Sequence, residues 1–311
     1  MVVVDSFTPD DTSFPEWESV GGPAEPVPNG VRCLLARRKG KPAARLAFGT
    51  AMGLSFIGWY EALDSEAGVA LLQQAREDLR QAGAREIVGP LNGSTWGRYR
   101  LVVPGTGNAA PFLGEPWNPP EYPSQWEAAG FRPIAEYESR IFHDPEADAN
   151  RLRASEARAA EQGIRVRPLD LERWEHELRD IHALSLASFA DNPFYTSIGL
   201  DSFRAANNKL RPLLVPELVR LAHDAGGRLL GLAFAYPDGA SGRVVLKTLA
   251  TAPEARGLRL ATLLTEQIHA AACEQGASAV IHALMHVSNR SAQMSVDRRT
   301  ELFRRYVLYE A

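Results

Sequence analysis

One succession of elements is written twice along this chain, and that repetition constrains the fold more than any other feature. In the first half, Val31-Arg-Cys-Leu-Leu-Ala36, Ala44-Arg-Leu-Ala-Phe48 and Leu54-Ser-Phe-Ile-Gly-Trp-Tyr60 have the apolar and aromatic character of strands and read as an antiparallel meander. Ala67, Ala70, Leu71, Ala75, Leu79 and Ala82 then recur near helical spacing from Ser65, and Gly83 stops the helix. A buried strand follows at 86–89, and Gly130-Phe131 with 134–142 predicts a closing hairpin. The second half repeats the plan, with a strand at 163–168, helices at 171–189 and 201–210, and strands at 218–223, 228–235 and 243–250. A helix at 257–275, a strand at 279–284 and a terminal strand at 306–309 complete it. The pattern predicts an internal duplication. The fold class is α+β (mixed α/β), two domains that are each a mainly antiparallel mixed sheet flanked by helices.

At 311 residues the chain has about twice the usual single-domain length, which agrees with two cores. Residues 1–28 are rich in Pro, Asp, Ser and Gly without periodicity and read as an irregular leader. The first domain is placed at 29–143 and the second at 163–311. Between them 144–162 alternates charges with alanines, as a solvated helical linker would.

Composition excludes several classes. With 45% hydrophobic and 23% charged residues, the chain is neither disordered, collagen-like nor a disulfide scaffold. No run approaches the roughly 18 apolar residues of a membrane span. Met1-Val-Val-Val-Asp5 is too short and too soon acidic for a signal peptide, so a cytoplasmic location is expected. Cys33 and Cys273 lie far apart with no partner at metal-ligand spacing, so both are expected to be reduced and structural, with no metal site. Residues 1–150 hold 13 Lys and Arg against 20 Asp and Glu, whereas 151–311 hold 21 against 18. Nothing in this balance points to nucleic acid. The positive second half suits a small anionic ligand.

The stretch that carries chemistry is Leu249-Ala-Thr-Ala-Pro-Glu-Ala-Arg-Gly-Leu-Arg-Leu-Ala-Thr262. A strand ends at a proline, and Arg256-Gly257 then opens a helix whose first-turn amides have no partners inside it. Those amides, the positive end of the dipole and Arg256 together make a pyrophosphate cradle, with Gly257 admitting phosphates close to the backbone and Ala261 keeping the next turn slim.

This segment resembles the acyl-CoA motif of the GNAT superfamily of N-acyltransferases, Arg/Gln-x-x-Gly-x-Gly/Ala at a helix start. Here the match is Arg256-x-x-Arg259-x-Ala261, with Arg where the family prefers Gly. That side chain either obstructs the cradle or swings outward and adds charge to it. The resemblance spans the second half and implies that Leu249, Ala250 and Thr251 bond the pantetheine arm, and that Gly257, Leu258, Leu260 and Thr262 join Arg256, Arg259 and Ala261 around the phosphates. Asn289-Arg-Ser-Ala292 resembles the family's Asn-x-x-Ala, whose Asn contacts the cofactor arm. The implied donor is acetyl-CoA or another acyl-CoA.

Acyl transfer to an amine also needs a base, an oxyanion donor and an acid. The family's Tyr, seven residues after that Asn, is Val296 here; Ser291, Ser295 or Tyr306 are the substitutes. His282 and His286 flank the expected acyl site and have a pKa suited to a base, although a packed strand residue and a loop cap explain them as well. Asp191 lies where the family often admits the acceptor, or else in a plain exposed turn.

The first half resembles a GNAT domain lacking its opening strand and helices. Trp126-Glu-Ala-Ala-Gly-Phe131 is similar to the family's Tyr-Glu-Lys-x-Gly-Phe. Asp64 and Glu66 stand where phosphates would bind, so this half is not expected to hold CoA in the usual way. Its long insertion carries Arg98, Tyr99, Arg100, Glu115, Trp117, Asn118 and Tyr122. It either lines a pocket, with Trp117 and Tyr122 as substrate contacts, or forms a proline-stiffened cover or a domain interface. The expectation is a tandem N-acyltransferase that transfers the acyl group by direct attack of a small-molecule or peptide amine. A homodimer is left open, and neither nucleic acid nor membrane is expected as a partner. The alternatives are a non-catalytic acyl-CoA-binding regulator and a ligand-free interaction scaffold.

Overall fold

The computed structural model of the chain describes residues 2–21, 25–107 and 109–311. In chain order the elements are β1 (Val2–Phe7), α1 (Phe14–Glu18), β2 (Arg32–Arg38), β3 (Lys41–Ala51), β4 (Leu54–Ala62), α2 (Ser65–Gln81), β5 (Ile87–Gly89), β6 (Leu101–Val102), α3 (Tyr122–Ala128) and β7 (Arg132–Phe142). They continue with α4 (Ala149–Glu161), β8 (Arg165–Pro168), α5 (Trp174–Phe189), α6 (Leu200–Asn208), β9 (Val219–His223), β10 (Leu229–Pro237) and β11 (Arg243–Thr251). The last elements are α7 (Leu260–Glu274), β12 (Ala279–His286), α8 (Arg290–Asp297) and β13 (Glu301–Glu310).

The chain forms two compact units whose ends are exchanged relative to the sequence-based division. One comprises 1–105, 116–136 and 306–311; the other comprises 106–115 and 137–305. In the first unit the strands run β1-β2-β3-β4-β5, and β5 pairs antiparallel with Tyr309 and Glu310 of the chain terminus. In the second, residues 137–142 of β7 pair with β12, followed by β11, β10, β9 and β8. The expected closing hairpin of the first half therefore does not form: 132–142 is one continuous strand whose later part completes the other unit's sheet. Backbone hydrogen bonds carry no sequence label, so an apolar closing strand suits either sheet until the whole chain is placed.

Each sheet holds one parallel pair among antiparallel neighbours: β4 with β5 and β11 with β12. A parallel pair needs a long crossover, and α2 and α7 supply it. Helix α2 buries Ala67, Leu71, Leu72, Ala75 and Leu79, and each fully buried leucine contributes about 1.5–3 kcal/mol. Trp126 is fully buried and makes edge contacts with Tyr60 and Phe131, so the Trp-x-x-x-Gly-Phe segment is a packing device of this core.

Two expectations need correction. Residues 2–7 of the supposed irregular leader form β1 along β2, and α1 places Trp17 in the core, where its indole N–H donates to Leu46 O at 3.0 Å. Residues 1 and 22–24 of that leader lie outside the described residues. The supposed linker does form a helix, α4, but it belongs to the second unit and buries Asp148 and Ala159. Cys33 is buried, and desolvation pushes its thiol up to about 12; Cys273 is only half-buried, and neither cysteine is bridged.

Candidate functional site

In the second unit the β11–β12 ladder runs only from Arg243–Ala279 to Leu246–His282, yet β11 continues to Thr251 and β12 to His286. The two strands thus part beyond that rung. Beyond that rung β12 also shifts register against β7, between His282 and Met285, with Leu284 in the left-handed region at φ +60°. Burial follows the opening: Val244–Leu246 are buried, whereas 247–249 are half-buried. Leu249, Ala250 and Thr251 keep their pairing to β10 on the other side.

At the wide end of this opening the chain turns through Pro253–Ala255 into α7. The helix starts at Leu260, three residues later than the sequence pattern indicates, because Gly257 (φ +97°) and Arg259 (φ +58°) both take left-handed backbone. A Cβ at Gly257 would meet no atom within 4 Å, so the backbone there faces open space. Arg259 occupies a conformation that favours glycine, which is the residue the resembled motif has at this place. Its side chain is exposed, as is that of Arg256. The amides that open α7 at Leu260, Ala261 and Thr262 lie beyond the first intrahelical bond, from Leu263 N–H to Arg259 O. Leu258 is half-buried beneath the loop.

Asp191 is exposed and lies 3.7 Å from Arg256, which is exposed as well. Ser188 of α5 donates to Thr251 O at 3.0 Å and braces the end of β11. Asn289 is the N-cap of α8, yet its carboxamide does not cap that helix. Asparagine at an N-cap normally does so, which leaves this side chain available to a ligand.

The catalytic candidates are not gathered at one point. Tyr306 belongs to the first unit, pairs with Val102 and is fully buried. Ser291 sits half-buried in the first turn of α8. His286 ends β12 with its ring edge-on to Tyr137, and Nδ1 accepts from the Ser288 hydroxyl at 2.7 Å and from its backbone N–H at 3.2 Å. In the neutral ring the proton is therefore on Nε2, and this histidine is built as a loop cap as well as a donor.

His282 is buried in a chain of side chains that the sequence does not announce. Asp148 accepts from His269 Nδ1 at 2.7 Å, His269 Nε2 meets His282 Nε2 at 2.9 Å, and His282 Nδ1 meets Ser295 Oγ at 2.6 Å. Burial first, then the neighbouring charges, keeps the His282 ring neutral. Burial also lowers His269, against the opposing pull of Asp148. Asp148 stays below the usual carboxylate range because the hydrogen bond from His269 and the bond and charge of Arg298 outweigh its own desolvation. With both rings neutral, each group's polarity is set by the previous one: His269 gives its Nδ1 proton to Asp148, His282 gives its Nε2 proton to His269, and Ser295 donates to His282. Phe142 stacks on His269 at 4.6 Å, and Arg298 bridges Asp148 and Glu266. Ser295 is 1% exposed, so its hydroxyl faces this network rather than solvent. No sequence signal links Asp148 to residues more than a hundred positions away.

In the first unit the corresponding helix end is closed by its own residues. Asp64 caps α2 by accepting from Ala67 N–H at 3.0 Å, and Arg38 bridges Asp64 and Glu66. The capping bond holds the Asp64 carboxyl below its usual range. The long insertion divides: Arg98, Tyr99, Arg100, Trp117, Asn118 and Tyr122 line a cavity in this unit, while Glu115 lies in the other, bound to Arg304. Among the described residues, no cluster of three or more His, Cys, Asp or Glu is placed to hold a metal, and no helix is long and apolar enough to cross a membrane.

No protein-family profile and no curated protein matches the sequence. Solved structures do. The chain is similar to a GCN5-related N-acetyltransferase from Sphaerobacter thermophilus, with TM-score 0.55 and 14% identity over 97% of this chain and 86% of that one. It is similar to a tandem GNAT protein from the clavulanic acid biosynthesis pathway, with TM-score 0.53 and 13% identity over 100% and 98% of the two chains. It also matches the GCN5-related glucosamine N-acetyltransferase region of a fungal multi-domain β-N-acetylglucosaminidase, at TM-score 0.59 and 14% identity, where it spans only 38% of that chain. Identities this low establish architecture rather than chemistry: the chain shares the fold of these N-acetyltransferase structures.

Proposed function

We propose that the chain is an N-acyltransferase that takes its acyl group from an acyl-CoA, acetyl-CoA being the first to test, and passes it to an amine. The observation that carries this reading is the parting of β11 from β12 beside a helix N-terminus whose Gly257 backbone is open to approach. The residues present fit such a donor. The amides opening α7, with Arg256 and Arg259, suit a pyrophosphate. Thr251 and its neighbours on the parted edge suit an amide-bearing arm, and the uncapping carboxamide of Asn289 supplies another polar contact. The donor brings an activated thioester; the chain's part is to fix it in the cleft and keep water from it. His286, at the end of β12, is the titratable side chain from the candidate set that is not sealed in the interior, whereas His282 and Tyr306 are buried.

That last observation also favours a second reading, a protein that binds acyl-CoA without turning it over. Titration of the full chain with acetyl-CoA and with pantetheine tests the shared part. Arg256→Ala should weaken CoA by about tenfold and pantetheine hardly at all, since only CoA carries the phosphates; equal effects would contradict the assigned role. Thiol release over a panel of amines then separates the enzyme from the binder.

A further inference from the structure

The cavity of the first unit has a volume of about 90 Å3, opens at the half-exposed Trp117, and is built from a mixture that the acyl-transfer reading does not use. Its walls include the aromatic rings of Trp59, Tyr60, Tyr99, Trp117 and Tyr122. Its charged lining is three guanidiniums, Arg45, Arg98 and Arg100, against two carboxylates, Glu25 and Glu61. Both carboxylates are already engaged. Glu61 accepts from the Tyr122 hydroxyl at 2.8 Å and lies 3.7 Å from Arg98, while Glu25 accepts from Asn92 at 2.8 Å and from the Arg98 backbone N–H at 3.3 Å.

Arg45 is different. It is only 2% exposed, sits over the ring of Trp17, and sends both of its hydrogen bonds from Nη1, to Trp17 O and Glu18 O. Its Nε has no partner. A charge withdrawn from water and bound only to carbonyls is costly unless an anion meets it. The cavity thus combines aromatic walls with a buried guanidinium whose Nε donor is unspent on protein.

We propose that this cavity is a binding site for a small monocarboxylate, held by its carboxylate against Arg45 with its body between the aromatic walls. The planar fork of a guanidinium matches a carboxylate, and aromatic faces match a planar or short apolar body. The site lies wholly within the first unit and stands independently of where CoA binds.

Benzoate is the probe, with benzamide as its uncharged counterpart of the same shape. Titrated into the full chain and followed by calorimetry and by thermal shift, benzoate should bind saturably in about the millimolar range and benzamide at least about tenfold more weakly. Trp117, 49% exposed, is replaceable without harm to the core, and Trp117→Ala should weaken benzoate about fivefold by removing a wall. Arg45→Met should abolish binding. Because Arg45 also holds the end of α1, the benzamide and Trp117→Ala comparisons decide the matter if that variant fails to fold. Equal binding of benzamide, benzoate binding indifferent to Trp117→Ala, or inorganic phosphate binding as tightly as benzoate would each overturn the proposal.

Discussion

Acidification should loosen the second unit through His269 and His282. Both rings are buried and held below the ordinary histidine pKa by desolvation, so the folded chain excludes protons that the unfolded chain accepts. The sign follows: a depressed folded pKa gives stability that is complete above about pH 6.5 and is lost as the pH falls below it. Each ring forfeits at most about 1.4 kcal/mol per pH unit below that point, so about 2.7 kcal/mol is the ceiling for the pair between about pH 7.5 and about pH 5.5. His223, also lowered by desolvation and by Arg167, adds to the loss with the same sign. Asp148 titrates too low to contribute in this window. Arg298, Glu266 and Arg140 are the other charged groups around the pair. Urea denaturation followed by circular dichroism at the two pH values measures the loss. His269→Gln and His282→Gln should each flatten the slope, by at most about 1.4 kcal/mol per pH unit, since glutamine preserves a donor and an acceptor without titrating. Stability equal at both pH values to within about 0.5 kcal/mol, or glutamine variants that keep the full slope, would refute the reasoning.

Two further predictions test the helix starts. Left-handed backbone at Arg259 costs a non-glycine residue about 1 kcal/mol, partly offset by glycine's greater freedom when unfolded, so Arg259→Gly should stabilise the chain by about 0.5 kcal/mol. A higher melting temperature with weaker CoA binding is the expected pair of results, and a lower one would show that the arginine side chain makes compensating contacts. Asp64→Ala removes the cap of α2 and should cost about 1 kcal/mol in chemical denaturation; an unchanged midpoint would mean that Arg38 and Glu66 hold the helix end without it.

Much of the architecture was legible because it is written locally. Helix α2 begins and ends as its apolar spacing and Gly83 indicate, and β2, β3, β4, β10 and β11 fall on the apolar runs. The turn at Pro253 and Gly257 was legible for the same reason: a proline and a glycine are local backbone signals. The start of α7 was misplaced by three residues because helical spacing does not reveal a left-handed residue just before the first turn. Strand β1 escaped notice because three valines have no period of their own until β2 lies beside them.

The sequence by itself determined the duplication, the elements of each copy, the open loop before α7 and the self-capped start of α2, all of which rest on neighbours within a few positions. Only the tertiary structure decided which closing strand completes which sheet, since a strand edge accepts any chain with matching pleat. The same holds for the relay from Asp148 to Ser295, for Tyr306 going to the core of the first unit, and for Arg45 being left with an unspent Nε donor. Those contacts join residues far apart along the chain, and their energies arise from burial and charge pairing that exist only once the chain has closed on itself.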